Sequence, residues 1–158
     1  MKTFWYAIGT FFYSGRFPFA PGTAGSFASL LLLIPFSLIL TPAMFAVVQS
    51  AGIAFFIAFG IPAATYIEKK ESKEDPSIVV IDEAAGQWIT FLFVPLQLLA
   101  EKPWLWVVGF LLFRLLDILK PVPVSTLEKL PAGLGIMMDD VMAGIYGCIC
   151  INLLIYFL

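Results

Sequence analysis

Asp139 and Asp140 stand at the mouth of an apolar segment that runs to Leu158 without another charged residue. Adjacent carboxylates about 4 Å apart, at an effective dielectric of about 20, repel by about 4 kcal/mol. Ahead of an apolar run they demand a proton, a basic neighbour or a metal cation. The chain repeats the arrangement: Asp82 and Glu83 also open an apolar segment. In both places a glycine follows four residues on, Asp82 to Gly86 in DEAAG and Asp140 to Gly144 in DVMAG. Small residues one turn inside a membrane helix let a second backbone approach closely, so the two acidic openings could meet.

The rest of the chain places these acids in a membrane protein. Of 158 residues, 61% are hydrophobic and only 13% charged, with a mean hydropathy of +0.97, which lies outside the soluble globular range. We expect one integral membrane domain, residues 1–158. A net charge of -2 and scattered lysines offer no basic stripe, so nucleic acid is excluded as a partner. Cys148 and Cys150 are i, i+2 and point different ways on a helix; with no histidine in the chain they complete no zinc set. The aromatic-rich N-terminus, MKTFWYAIGTFFYSG, lacks the leucine-rich core and the small-residue cleavage site of a signal peptide. It reads as a retained interfacial helix.

In chain order, residues 1–14 form that helix and GRFPFAPGTAGS, residues 15–26, reads as a loop. Residues 27–40 and 43–67 make a hairpin of two membrane helices, and EKKESKEDPS, residues 68–77, is a solvated loop. A third helix runs from Asp82 to about Leu99, a fourth from Trp104 to Leu119, and a fifth from Asp139 to Leu158, after a mixed loop over 124–138. The fold class expected is all-α: about five membrane helices plus the interfacial helix. With five crossings, Lys2, Arg16, Lys69, Lys70, Lys73, Lys120 and Lys129 fall on one side and only Lys102 on the other. By the positive-inside tendency the first side is cytoplasmic. The same alternation puts Asp82, Glu83, Arg114, Asp117, Lys120, Asp139, Asp140 and the 15–26 loop on that face. Ala143, Gly144 and Gly147 could pack within the chain or between copies, which leaves a homo-oligomer open.

A single Asp at a helix start is adequately explained as a cap. Two doubled acids on one face suggest a divalent-metal site, and hard oxygen donors without His favour Mg²⁺ over zinc. Magnesium joins carboxylates to phosphates, and Arg16, Arg114 and Lys120, with the hydroxyls of Thr23 and Ser26, could receive a phosphate on the same face. Arg114 and Asp117 are i, i+3 on one helix and could equally be a structural ion pair. The absence of His removes histidine phosphatase chemistry. There is also no Cys with an Arg at loop spacing, no Asp-x-Asp pair and no G-x-x-x-x-G-K-[ST] loop. What remains for phosphate chemistry is water activated by Mg²⁺ and a carboxylate.

PFAPGTAGS, DPSIVVIDEAAGQW, GFLLFRLLDILKPVPV and GLGIMMDDVMAG, in this order and spacing, resemble the phosphatidylglycerophosphatase A family. The resemblance implies a Mg²⁺-dependent enzyme of the bacterial cytoplasmic (inner) membrane that removes the terminal phosphate of phosphatidylglycerophosphate, a membrane phospholipid. Carried over by position, its motifs cover Pro21, Gly22, Thr23, Gly25 and Ser26; Asp82, Glu83 and Gly86; Arg114, Asp117, Lys120 and Pro121; and Asp139, Asp140, Ala143 and Gly144. Two positions depart: Ala24 stands where PGTWGS has Trp, and Ala132 replaces the first glycine of a GG pair. Neither removes a charged group. The residue roles expected are Asp82, Glu83, Asp139 and Asp140 on the metal, one of these or Asp117 as base, and Arg16, Thr23, Ser26, Arg114 and Lys120 on the phosphate. Two other classes remain possible from the residues alone. One is a small cation transporter or channel, whose sites usually lie at mid-membrane on broken helices; the other is a structural membrane subunit.

Overall fold

The computed structural model describes residues 2–158, and among these no strand forms. Eight helices follow in order: α1 (Lys2–Gly9), α2 (Pro21–Ile39), α3 (Pro42–Glu71), α4 (Ile81–Thr90), α5 (Leu96–Glu101), α6 (Trp104–Leu119), α7 (Val124–Leu127) and α8 (Gly133–Tyr156), with a 3₁₀ turn at Ser14–Arg16. Three of them, α2, α3 and α8, are long and apolar enough to cross a membrane.

Helix α1 ends at Gly9 rather than at residue 14, α3 runs on to Glu71, and α7 forms within the expected 124–138 loop; three further boundaries differ from the sequence expectation, each for a physical reason. The PGTAGS stretch is the start of α2 rather than a loop. Pro21 is the first helical residue, where its missing N–H costs nothing, and Gly25 is a packing contact: a Cβ there would lie 2.6 Å from Val80 Cβ. Helix α8 begins at Gly133, whose N–H donates to Thr65 Oγ1 on α3 (3.1 Å). Asp139 and Asp140 therefore lie well inside the helix, and capping is no account of either. The expected third helix over 82–99 is broken. Helix α4 stops at Thr90, Phe93 takes a left-handed conformation (φ 64°), and Pro95 precedes the short α5.

Helix α4 is the centre of the bundle. Its ten residues rise about 15 Å, half of a ~30 Å hydrocarbon core, and every residue but Glu83 is buried. A backbone break buried within the bundle must find partners inside the protein. The Leu92 carbonyl accepts from Asn152 Nδ2 (3.0 Å) and Cys148 Sγ (3.2 Å) on α8, and the Trp88 carbonyl accepts from Gln49 Nε2 (2.9 Å) on α3. Trp88 in turn donates its indole N–H to the Ser29 carbonyl of α2 (3.0 Å) and meets the Phe56 ring edge-on at 4.9 Å. Three helices, α2, α3 and α8, are thus keyed by polar and aromatic contacts to α4 and the break that follows it.

The α4–α8 crossing is set by glycine. A Cβ on Gly144 would lie 2.5 Å from the Gly86 carbonyl oxygen, and one on Gly86 would lie 2.5 Å from that of Asp140. Gly147 faces Thr90 in the same way, at 2.7 Å from its hydroxyl. The small residues of α8 are therefore used within the chain, and the two acidic segments meet as their spacing allows.

Candidate active site

The Gly86–Gly144 contact holds Asp82 and Glu83, in the first turn of α4, beside Asp140 on α8. One carboxylate oxygen from each of the three lies within 4.8 Å of the others. At that separation and an effective dielectric of about 20, each pair of negative charges repels by about 3.5 kcal/mol. Asp82 is 7% exposed and Asp140 3%, and Asp82 Oδ1 and Glu83 Oε2 are buried with no hydrogen-bond partner. Buried acceptors without donors are costly. Three converging carboxylates with two orphaned oxygens form a donor set that fits a hard divalent cation.

The cations stand at its rim. Arg114, on α6, pairs with Asp117 one turn on (2.7 Å) and approaches Glu83 at 4.0 Å. Arg114 Nη1 also donates to Ser26 Oγ at 3.5 Å, and that hydroxyl donates to the Gly22 carbonyl at 2.9 Å. The first turn of α2 sits directly over this group. A Cβ on Gly22 would come well inside 3.0 Å of Glu83 Oε1 and 3.3 Å from both terminal nitrogens of Arg114.

Asp139, expected among the metal ligands, belongs to a different contact. Neighbouring helical residues diverge by about 100°, and while Asp140 faces α4, Asp139 accepts from Lys120 at 2.8 Å. Lys120 also reaches Glu128 at 3.0 Å. Burial disfavours its charge, but the bonds to Asp139 and Glu128 outweigh this and hold its pKa above the ordinary lysine value.

These groups line a cleft of about 190 Å³ bounded by Pro21, Gly22, Asp82, Glu83, Asp117, Lys120, Asp139 and Asp140. Two further residues on its wall, Asp75 and Ser77, come from the stretch read as a solvated loop. Their signal was their place at the head of DPSIVVIDEAAGQW, directly before the extended run into Asp82. Glu128 was also missed, because nothing in its local sequence ties it to Lys120. The expected phosphate-binding residues divide. Lys120 lines the cleft and Arg114 adjoins it, whereas Ser26 is fully buried and touches Arg114. Thr23 is not on the cleft wall. Arg16 lies outside it, its guanidinium 5.0 Å from the centre of the Tyr13 ring and 5.8 Å from that of Tyr6.

Known proteins share this chain nearly end to end. The family model for phosphatidylglycerophosphatase A matches residues 7–155. A Bacteroides thetaiotaomicron protein named "Putative phosphatidylinositol-3-phosphatase" is 43% identical over 152 residues, 91% of this chain and 89% of that one. Phosphatidylglycerophosphatase A of Escherichia coli (strain K12) is 33% identical over 147 residues, 92% of this chain and 80% of its own. The Haemophilus influenzae protein of the same name is 33% identical over 153 residues, 93% and 86% of the two chains. No solved structure matches significantly. A family match across residues 7–155, reinforced by two relatives at 33% identity over most of their length, establishes that the chain belongs to the phosphatidylglycerophosphatase A family, a family of phosphatases.

Proposed function

We propose that this chain is a single membrane-embedded domain that hydrolyses the terminal phosphate monoester of phosphatidylglycerophosphate, with Mg²⁺ held by Asp82, Glu83 and Asp140. The observation that carries this reading is the convergence of those three carboxylates, two with orphaned buried oxygens, beside Arg114 and Lys120. Bound there, Mg²⁺ supplies positive charge to the phosphoryl oxygens and lowers the pKa of water.

The chain's own residues do the remainder. Arg114, held by Asp117 and Ser26, offers its guanidinium to phosphoryl oxygens and offsets the charge that develops in the transition state. Lys120, held by Asp139, offers an ammonium on the cleft wall. Asp117 or a carboxylate of the cluster takes the proton of the attacking water. The water oxygen bonds to phosphorus, the ester P–O bond breaks, and the carboxylate that took the water proton passes it to the departing lipid alkoxide, which leaves as the alcohol.

Five passes follow if α4 and α5 together count as one broken pass beside α2, α3, α6 and α8. The cleft then faces the cytoplasm, on the side that holds nearly all the lysines. Acids gathered at one end of the bundle argue against a transporter, whose sites lie at mid-membrane. The 43% identity to a protein named for phosphatidylinositol 3-phosphate favours a second substrate reading, an inositol phosphate headgroup in place of glycerol phosphate. The bond broken is of the same kind.

The test is phosphate release by purified protein in detergent from phosphatidylglycerophosphate and, separately, phosphatidylinositol 3-phosphate, with and without Mg²⁺, beside Asp140→Asn. Release that needs both metal and Asp140 supports the reading, and the faster substrate identifies the headgroup. No release from either lipid, by folded protein under any divalent ion, refutes it.

A further inference from the structure

Either lipid named above carries two phosphates: the reacting monoester, and a phosphodiester that joins the headgroup to the acyl-bearing glycerol. The cleft accounts for only one of them. Arg16 is a second cation of a different kind, exposed and outside the cleft, and no carboxylate among the described residues lies within salt-bridge distance of it. It stands on the Tyr13 ring, in a connection whose backbone is unusual. Phe11, Phe12 and Tyr13 are three consecutive left-handed residues (φ 42°, 54° and 69°). Left-handed backbone is unfavourable for side chains of this size and persists only where surrounding structure holds it. Here it sends Phe11 into the core against Phe56, with ring centres 5.6 Å apart, while Phe12 turns outward. The result is the wall of an apolar groove of about 490 Å³, with Phe12, Tyr13 and Ser14 on one side and Ala28, Leu31 and Leu32 of α2 on the other.

That groove and the cleft share α2. Gly22, on the cleft wall, and Ala28, in the groove, are six residues apart, about 9 Å along the helix. We infer that the groove holds an acyl chain of the glycerophospholipid substrate and that Arg16 binds its phosphodiester, so that the lipid lies along α2 with its monoester phosphate in the acidic cleft. This rests on the lipid phosphatase reading. It takes Arg16 off the reacting phosphate and gives the anion nearer the membrane a cation free of competing carboxylates. Aromatic side chains on both sides of Arg16, at Phe12, Phe17 and Phe19, are exposed in the manner of an interfacial belt, the level at which a phosphodiester lies.

The test compares dioleoyl and dihexanoyl forms of the same phosphorylated lipid in mixed micelles, with Leu31→Trp to fill the groove, Arg16→Gln and Arg16→Lys to probe the cation, and Leu38→Trp as an exposed control on α2 outside the groove. Leu31→Trp is expected to raise KM about tenfold for the dioleoyl lipid, the equivalent of about two methylenes of lost contact, and to leave the shorter lipid's KM unmoved. Arg16→Gln is expected to raise KM about tenfold for both lipids with the effect on KM rather than kcat, and Arg16→Lys to recover part of it. Equal effects of Leu31→Trp and Leu38→Trp, or a loss in Arg16→Gln that falls on kcat, would overturn the inference. A wild-type protein inert on every phosphorylated lipid would instead overturn the phosphatase reading beneath it.

Discussion

Replacing Gly22 by alanine separates the site from the fold more cleanly than removing any charged residue. The backbone at Gly22 is helical, so alanine fits its conformation and favours the helix by up to about 1 kcal/mol. The added methyl, however, falls well inside 3.0 Å of Glu83 Oε1, where ordinary contact begins at 3.4 Å, and is already tight at 3.3 Å from the Arg114 nitrogens. What it meets is the far end of a flexible side chain, so the protein can yield without unpacking. The carboxylate must retreat by roughly 1 Å, and a misplacement of that size costs about 10²-fold in rate, or about 2.7 kcal/mol of barrier. Gly144→Ala is the counterpart. There the methyl meets the Gly86 backbone, its oxygen at 2.5 Å and its Cα at 2.8 Å, which cannot yield without parting α4 from α8. Such overpacking costs about 1–3 kcal/mol of stability. Steady-state phosphate release and thermal unfolding in detergent, measured on both variants, check the contrast. Gly22→Ala with undiminished turnover, or with turnover and unfolding temperature falling together, would refute the reading that the missing side chain at Gly22 leaves Glu83 its place in the site.

Three further outcomes follow from the charges and the broken helix. Mg²⁺ at one hundred times its Kd should stabilise the wild-type protein by about 2.7 kcal/mol against unfolding; Asp140→Asn should lose most of that gain while being the more stable of the two without metal, because two repulsive contacts are relieved. An equal Mg²⁺ response in both proteins would exclude the cluster as the metal site. Lys120→Met leaves Asp139, 8% exposed at its side chain, without its cation, and should lower stability by about 1–2 kcal/mol after allowance for partial solvent screening, whereas Glu128→Gln should change it by less than about 0.5 kcal/mol; chemical denaturation reads both. Asn152→Leu removes a donor from the Leu92 carbonyl and should cost about 1 kcal/mol of stability with turnover unchanged, so a selective loss of activity would show that this polar group serves the chemistry.

What could be read from the sequence was whatever depended on spacing. The four-residue interval from acid to glycine foretold the meeting of α4 and α8, because close backbone approach needs a missing Cβ at a fixed distance from the charge. The i, i+3 pairing of Arg114 with Asp117 was legible for the same reason. Breaks in regular structure were not. PGTAGS is rich in loop-forming residues, yet Pro21 suits a first helical position and Gly25 packs on Val80 once α2 forms. The stop at Thr90 has no local signal stronger than Pro95, and its stability comes from Gln49 and Asn152, far away in the chain. Asp139 and Asp140 look like twins in sequence, yet helical rotation sends one to Lys120 and the other to the three-acid cluster. Glu128, at the end of α7, meets Lys120, and Asp75 reaches the cleft wall, through contacts that no local sequence spacing announces.

The half-length α4 also constrains how the molecule can come into being. A ten-residue helix is too short to partition into a bilayer by itself as a nascent segment. The Trp88 carbonyl near its end and the Leu92 carbonyl just beyond it take their side-chain donors from Gln49 of an earlier helix and from Cys148 and Asn152 of α8. Gly22 lies near the start of the first long helix and Asp140 within the last. Synthesis therefore has to reach α8 before the carboxylate cluster exists, and a chain halted ahead of α8 holds Asp82 and Glu83 without Asp140.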